Sequence, residues 1–292
     1  VRVGDDTLYR RFLTGFTRNR SAIADALASL ADQKRVRVAS DDPVAAQGSL
    51  ALRARLVRLE GFTRAAGAAR YDVATLDRVL GEAGGLLLDA RNEAMAGASD
   101  VMSDGRGVRA AKVRSLRDQL LQLANTYQGD RYLFSGTQTL TPSFDAAGNY
   151  QGSAQEVEAP LDANETVAAT VAGDRVFTPA AGTSVFQLLE TLANDLEAGN
   201  TAGVAAALDP LKQVLNRFNE VRADVGLRLE RIDTVLSSHE DETTAALQRV
   251  SEIEGADIAE VAATLSQAQT GLDALSATAS RTLGRSLFDY LG

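Results

Sequence analysis

Apolar residues recur every three or four positions over most of the chain, which predicts helices. Leu8, Phe12, Phe16, Ile23, Leu27 and Leu30 share one helical face, and Asn19 fills the seam between Phe16 and Ile23. Asp5 and Asp6 are placed to cap this helix, which ends near Asp32. Lys34 to Val38 alternates charged and apolar residues and reads as an extended or turn segment. Ser40-Asp41-Asp42-Pro43 is a helix start, because Ser40 or Asp42 supplies the capping oxygen and Pro43 suits the first turn. The paired Asp is read as a cap rather than a metal or acid–base site, since no third ligand is near.

The longest repeat follows: Leu52, Leu56, Leu59, Phe62, Ala66, Ala69, Val73, Leu76, Leu80, Ala83, Leu87, Ala90 and Ala94. Its alternating spacing of three and four predicts a coiled-coil-like helix from Pro43 to about Gly97, roughly 80 Å long. Gly81, Gly84 and Gly85 interrupt it, each weakening a helix by about 1 kcal/mol relative to Ala. A loop to Gly107 leads to a helix ending near Tyr127, with Val108, Ala111, Leu116, Leu120, Leu123 and Tyr127 expected on its buried side.

The period changes at Gly129, expected to stop that helix. Tyr132, Phe134, Phe144 and Tyr150 crowd together, and Asp145 to Tyr150 has hairpin chemistry. Short runs at 156–159 and 167–171 read as strands, and Gly173 to Phe177 as a last turn and strand. Helices resume at Ser184. Phe186, Leu189, Leu192 and Leu196 make a short one closed by Gly199-Asn200. Val214, Phe218, Val221, Val225, Leu229, Ile232, Leu236, His239, Thr243, Leu247 and Val250 make a second long one. From Ala256 to about Leu283, Ile258, Val261, Leu265, Ala268, Leu272, Leu275 and Ala279 give the most regular heptad in the chain. The first helix is its expected partner, and the chain termini are expected to meet.

The fold class expected is therefore mainly α: a long antiparallel coiled-coil-like bundle with paired terminal helices and a small inserted β domain. Residues 1–39 with 256–292 would form a terminal core, 40–129 with 184–255 a helical bundle, and 130–183 the insert.

Composition adds exclusions. The chain has 292 residues and no Cys, so thiolate catalysis, disulfides and cysteine metal sites are excluded. No apolar run approaches a membrane span, and no basic-then-apolar opening predicts a cleavable secretory signal. Residues 1–129 hold 20 Lys/Arg against 15 Asp/Glu, and residues 130–292 hold 10 against 24. Basic N-terminal and acidic C-terminal helices should attract one another. With a net charge of −9, and with its basic residues on amphipathic helices, the chain is not expected to bind nucleic acid. Gly105-Arg106-Gly107-Val108-Arg109-Ala110 fits a dinucleotide fingerprint in form only, since no strand precedes it. His239, the one histidine, falls on a seam and reads as a polar seam residue. No catalytic constellation, cofactor site or metal site is expected. Activity in the insert would require Glu156, Glu158 or Asp162 to face a pocket.

Several motifs carry a family likeness. They are Val1-Arg2-Val3, Leu8-Tyr9-Arg10-Arg11-Phe12, Ser40-Asp41-Asp42-Pro43-Val44-Ala45-Ala46, and Arg131-Tyr132-Leu133-Phe134-Ser135-Gly136-Thr137 with Thr141-Pro142-Ser143-Phe144. Ala256-Asp257-Ile258-Ala259-Glu260-Val261, Leu265-Ser266-Gln267-Ala268-Gln269 and Ser286-Leu287-Phe288-Asp289-Tyr290-Leu291 complete the set. Together they resemble the flagellin family and, within it, the bacterial hook-filament junction proteins (hook-associated protein 3). The resemblance implies a secreted structural protein exported unfolded by the flagellar type III system. It implies a homo-oligomeric ring between an adjoining hook-associated protein and a filament-side flagellin or second junction protein. It also implies an export chaperone on the C-terminal helices, near 256–291. Leu8, Phe12, Ile258, Val261, Leu265 and Leu272 are the residues expected to form the self-assembly core. Filament flagellin, an enzyme on a helical scaffold and a cytoplasmic coiled-coil scaffold are the alternatives.

Overall fold

The computed structural model describes the backbone of residues 2–99, 105–180 and 182–291, and the side chains of 7, 10–99, 105–180 and 182–280. Its elements are α1 (Arg2–Asp32), α2 (Pro43–Ser99), α3 (Arg106–Ala124), β1 (Tyr127–Gln128), β2 (Arg131–Tyr132), β3 (Glu158–Asp162), β4 (Glu165–Ala168), α4 (Gly173–Val176), α5 (Val185–Ala198), α6 (Thr201–Glu254) and α7 (Ile258–Leu291). The fold is mainly α with two small antiparallel hairpins, β1–β2 and β3–β4. The chain divides into two compact units, a terminal one (1–57 with 242–292) and a central one (58–241).

In the central unit the expected seams are the core. On α2, Ala66, Ala69, Val73, Leu76, Leu80, Ala83, Leu87, Ala90 and Ala94 are all buried. On α6, Val214, Phe218, Val221, Val225 and Ile232 are buried with them. The Ala-rich seam lets backbones approach closely where a Leu-only seam would hold them apart. His239 is buried on α6, its Nδ1 lying 3.1 Å from Thr63 Oγ1. Thr63 already donates its hydroxyl proton to the Leu59 carbonyl, so the imidazole N–H must be the donor here.

Where the aromatic-rich segment meets the helices, Phe134, Phe144, Phe177, Phe186 and Phe218 form a linked cluster. Ring centroids are 5.2–5.3 Å apart in the edge-to-face pairs, and Phe177 stacks on Phe186 at 5.8 Å. Such pairs add about 0.5–1.5 kcal/mol each beyond area burial. Leu133, Phe134 and Ser135 are fully enclosed. Gly136 has φ +61°, and a Cβ there would strike the Ser153 and Gln155 carbonyls. Ser135 Oγ bonds the Thr141 carbonyl at 2.7 Å and lies 2.8 Å from Ser143 Oγ. The Leu133-Phe134-Ser135-Gly136 centre of the Tyr-Leu-Phe-Ser-Gly-Thr block is thus a buried keystone of the fold. The Tyr150 hydroxyl, with one proton to donate, lies 2.8 Å from the Ser153 carbonyl and 3.0 Å from that of Phe134, and its pKa is pushed up to about 12 by burial, with Asp174 adding to the effect.

The β3–β4 hairpin is held to α6 by Arg228, which donates to the Ala168 and Thr170 carbonyls and to Glu156 and Asp224 at 2.8–3.2 Å. Glu156 also pairs with Arg175 at 3.3 Å. Glu158 and Asp162 are exposed on β3. The three carboxylates do not converge on one another.

Four local expectations need correction. α1 begins at Arg2, upstream of Asp5 and Asp6, so neither caps it. α3 buries Ala110, Val113, Leu116, Leu120 and Ala124, whereas Val108 is 73% and Tyr127 55% exposed. Arg and Gln occupy both sides of that helix, so its apolar contrast is too weak to fix the rotation; packing against α5 fixes it instead. α3 ends at Ala124, and Gly129 (φ +60°) serves the β1–β2 turn. Gly173 starts the short helix α4 rather than a strand: the Phe177 N–H turns back to the Gly173 carbonyl at 2.8 Å, while the Gly173 N–H donates to the Phe134 carbonyl and the Phe144 and Tyr150 rings leave no room for a Cβ.

Candidate functional site: the terminal helix pair

α1 and α7 pack together in the terminal unit. Two contacts fix their register. Asn19 lies against Gly271, where a Cβ would come within 2.7 Å of Asn19 Nδ2, and Leu275 lies over Gly15, where a Cβ would come within 3.4 Å of Leu275 Cδ1. One step back along α1 matches one step forward along α7, so the pair is antiparallel. A polar residue in a helix seam selects one register over its neighbours, and here a glycine makes room for it.

The pair is incompletely covered. Ala26 and Ala268 are buried, but Phe12, Val261, Leu265 and Leu272 are only partly so. Phe12 stacks on Phe16 at 6.1 Å. Ile258 opens α7 and is 47% exposed, Leu13 is 44% and Leu27 52% exposed. The side chains of Leu8 and of the motif at 286–291 lie outside the described residues. Two helices cover one stripe of each other and leave the flanks open, and burying a Leu fully is worth about 1.5–3 kcal/mol. The pair therefore presents a surface that a further helix would cover.

Asp257 starts α7, accepting the Ala259 and Glu260 N–H groups. Asp42 starts α2, accepting the Ala45 N–H at 3.0 Å, while Asp41 accepts the Arg37 and Val38 N–H groups. These backbone bonds hold both carboxyls below their ordinary range, and Arg35 lowers Asp42 further. Asp42 thus takes the expected capping role, whereas Asp41 closes the turn before the helix.

Between the helices, segments 33–42 and 255–257 run side by side. Lys34 bridges Gly255 in antiparallel fashion, Arg35 N–H donates to the Glu254 carbonyl at 2.7 Å, and Ala256 N–H donates to Gln33 O at 3.0 Å. The Glu254 carboxylate accepts bonds from Ser49, from Arg53 at 2.9 Å and from Lys34 at 3.0 Å. It is held down to about 2, first by Ser49 and then by Lys34 and Arg53. Periodicity gave no sign of this node. A visible clue was an acidic residue directly before Gly255 at the negative end of a long helix, where carboxylates are disfavoured.

The charge division seen in the sequence is partly realised. Arg53–Glu254, Arg55–Glu242 and Arg70–Asp233 join α2 to the acidic α6, while Arg222–Asp77 runs the other way. Among the described residues no three His, Cys, Asp or Glu side chains gather as a metal site would require, and no helix is long and apolar enough to cross a membrane.

The chain matches the bacterial flagellin N-terminal helical region over residues 7–139. Flagellar hook-associated protein 3 of Escherichia coli is 28% identical, and that of Salmonella typhimurium 26%, with 99% of each chain covered in both cases. Among solved structures, Bacillus cereus FlgL superposes with a TM-score of 0.62 at 19% identity, over 69% of this chain and 99% of that one. The flagellar junction protein FlgL of Legionella pneumophila gives 0.60 at 17% identity, over 71% and 100%. The helical fold, the N-terminal match and the full-length relatives agree: the chain is similar throughout to flagellar hook-associated protein 3, and its N-terminal part to the flagellin N-terminal helical region.

Proposed function

We propose that this chain assembles as a ring at the hook–filament junction and adapts one tube to the other. It is a structural component of the bacterial flagellum. The observation that carries the reading is the half-covered α1–α7 pair, whose heptad is too regular to be incidental and whose flanks stay open in the single chain. Heterologous contacts between identical subunits close into rings. Leu8, Phe12, Ile258, Val261, Leu265 and Leu272 form the self-assembly core, and the insert faces outward. In this reading, residues 1–39 with 256–292 act as the assembly core, 40–129 with 184–255 as the supporting bundle, and 130–183 as the outer domain. The subunit passes unfolded through the type III channel, with a chaperone masking 256–291 beforehand. It performs no catalysis. Full-length relatives named as hook-associated protein 3 support a junction role over a place in the filament shaft.

Deleting the gene tests the role: hooks without filaments, with flagellin shed into the medium, are expected, and intact filaments would reject it. Leu265→Asp with Leu272→Asp tests the surface. Secreted protein that no longer joins the flagellum is expected, while normal swimming would remove these residues from the assembly core.

A further inference from the structure

Glu254 stands where an acidic residue is least welcome. It ends the 54-residue α6, among carbonyls that carry the negative end of the helix dipole, and it is only 8% exposed. A buried carboxylate is tolerated only when its charge is matched and its lone pairs are bonded. Here Ser49 and Arg53 reach it from α2, and Lys34 from the segment after α1. Its backbone carbonyl accepts from Arg35 and, at 3.4 Å, from Val36. Arg35 extends the node, donating to the Ile253 carbonyl at 3.2 Å and to Asp42 at 3.0 Å. Gln33, next in line, holds φ at +55°, a left-handed conformation that a residue with a side chain keeps only when its surroundings impose it. Its carbonyl is tied to the Ala256 N–H.

The Glu254 side chain therefore joins the end of α6 to the exit of α1 and the start of α2, and the approach to α7 is tied to the same crossing through the Ala256–Gln33 backbone bond. Apolar packing contributes little at the crossing, where Val36 is the buried apolar residue among 33–42. We infer that Glu254 is a positioning residue: its carboxylate pins the segment after α1 to α2, the segment before α7 is bonded to that one through the backbone, and the pin so sets the direction in which the α1–α7 pair leaves. The consequence for the flagellum rests on the assembly reading above; the pin itself does not.

The test uses the full chain. Glu254→Gln keeps the shape and removes the charge. Hydrogen exchange at the Arg35, Val36 and Ala256 amides should accelerate about tenfold, the order expected for a lost charge-assisted hydrogen bond. The Val185 amide, bonded to the Phe177 carbonyl in the central unit, should not change, nor should that unit's unfolding midpoint. In a strain lacking the native gene, Glu254→Gln should reduce motility and Glu254→Asp should restore part of it. Ser49→Ala is the milder companion and should move the same three amides less. Unchanged exchange in Glu254→Gln overturns the pin. Accelerated exchange with full motility overturns the positioning role. A wild-type gene that restores no motility would count against the assembly reading, while the exchange data would still judge the pin.

Discussion

Phe177 and Leu265 show how differently the two units use the same kind of residue. Phe177 touches Phe134, Phe144, Phe186 and Phe218 and is wholly enclosed in the central unit. Leu265 lies on the most regular heptad of the chain and is still partly open. Among the described residues, the buried apolar side chains of the terminal unit are Ala26, Val36, Ala246 and Ala268, none of them large. The central unit meets its burial needs alone, whereas the terminal unit is held by hydrogen bonds at its crossing and by one stripe of contact between α1 and α7. Regular patterning therefore does not by itself mean a finished core. It can mark a surface left for other chains.

The largest expected effect tests the self-sufficiency of the central unit. Phe177→Ala should destabilise it by about 3–5 kcal/mol, read from denaturant unfolding of the free chain. A cost near that of an exposed site would show the aromatic cluster to be loosely packed. Arg228→Ala should cost about 2–3 kcal/mol, because it removes the donor to the Ala168 and Thr170 carbonyls and leaves Glu156 with Arg175 alone. The Ala169 amide, bonded to the Val157 carbonyl, would report that loosening. Leu265→Ala in the free chain should cost less, about 1–2 kcal/mol, since its side chain is only partly covered. A cost of about 4 kcal/mol would mean that the terminal unit has a core of its own and would erase the contrast.

Acid sharpens the contrast from another side. Glu254 is depressed from 4.5 to about 2, so its contribution to the terminal unit is complete above pH 4.5 and disappears as the pH falls toward 2. Asp41 and Asp42 are depressed as well, so Glu254→Gln is the control. Exchange at the Arg35 and Ala256 amides, corrected for intrinsic rate, should speed up across that window in the wild type, and less in the variant.

The smallest effect has the opposite sign. A Cβ added at Gly84 or Gly85 meets nothing within 4 Å, so Ala at each position should stabilise α2 by up to about 1 kcal/mol, seen as a higher melting temperature. Gly148→Ala should do the reverse, because the residue holds φ +86° and its Cβ would strike Phe186.

Much of this was legible. The seams of α2 and α6 were readable because large apolar residues recur there at a period that few other structures share. Asn19 could be placed in the seam of α1 for the same reason. The rotation of α3 was not readable, because Arg109, Lys112, Arg114, Arg117 and Gln119 surround its short apolar stripe. Gly129 and Gly173 misled because a glycine announces an unusual backbone without saying which one. The Glu254 node escaped because its partners Lys34, Ser49 and Arg53 lie some two hundred residues away, and hydrogen bonds across that distance leave no periodic trace. In the candidate site, the apolar stripes of α1 and α7 could be listed from spacing. The pairing of Asn19 with Gly271 could not, since it depends on which helix faces which.

That pairing ties the lengths of two distant pieces of chain together. The span from Asn19 to the crossing at Lys34 is nearly equal to the span from Gly255 to Gly271, because both measure the same distance along one helix pair. A single residue deleted from one span would swing everything beyond it by about 100° and pull Asn19 off its glycine. Insertions and deletions in the two ends of the gene should therefore survive in compensating sets, or in steps of three, four or seven that bring the stripe back into line.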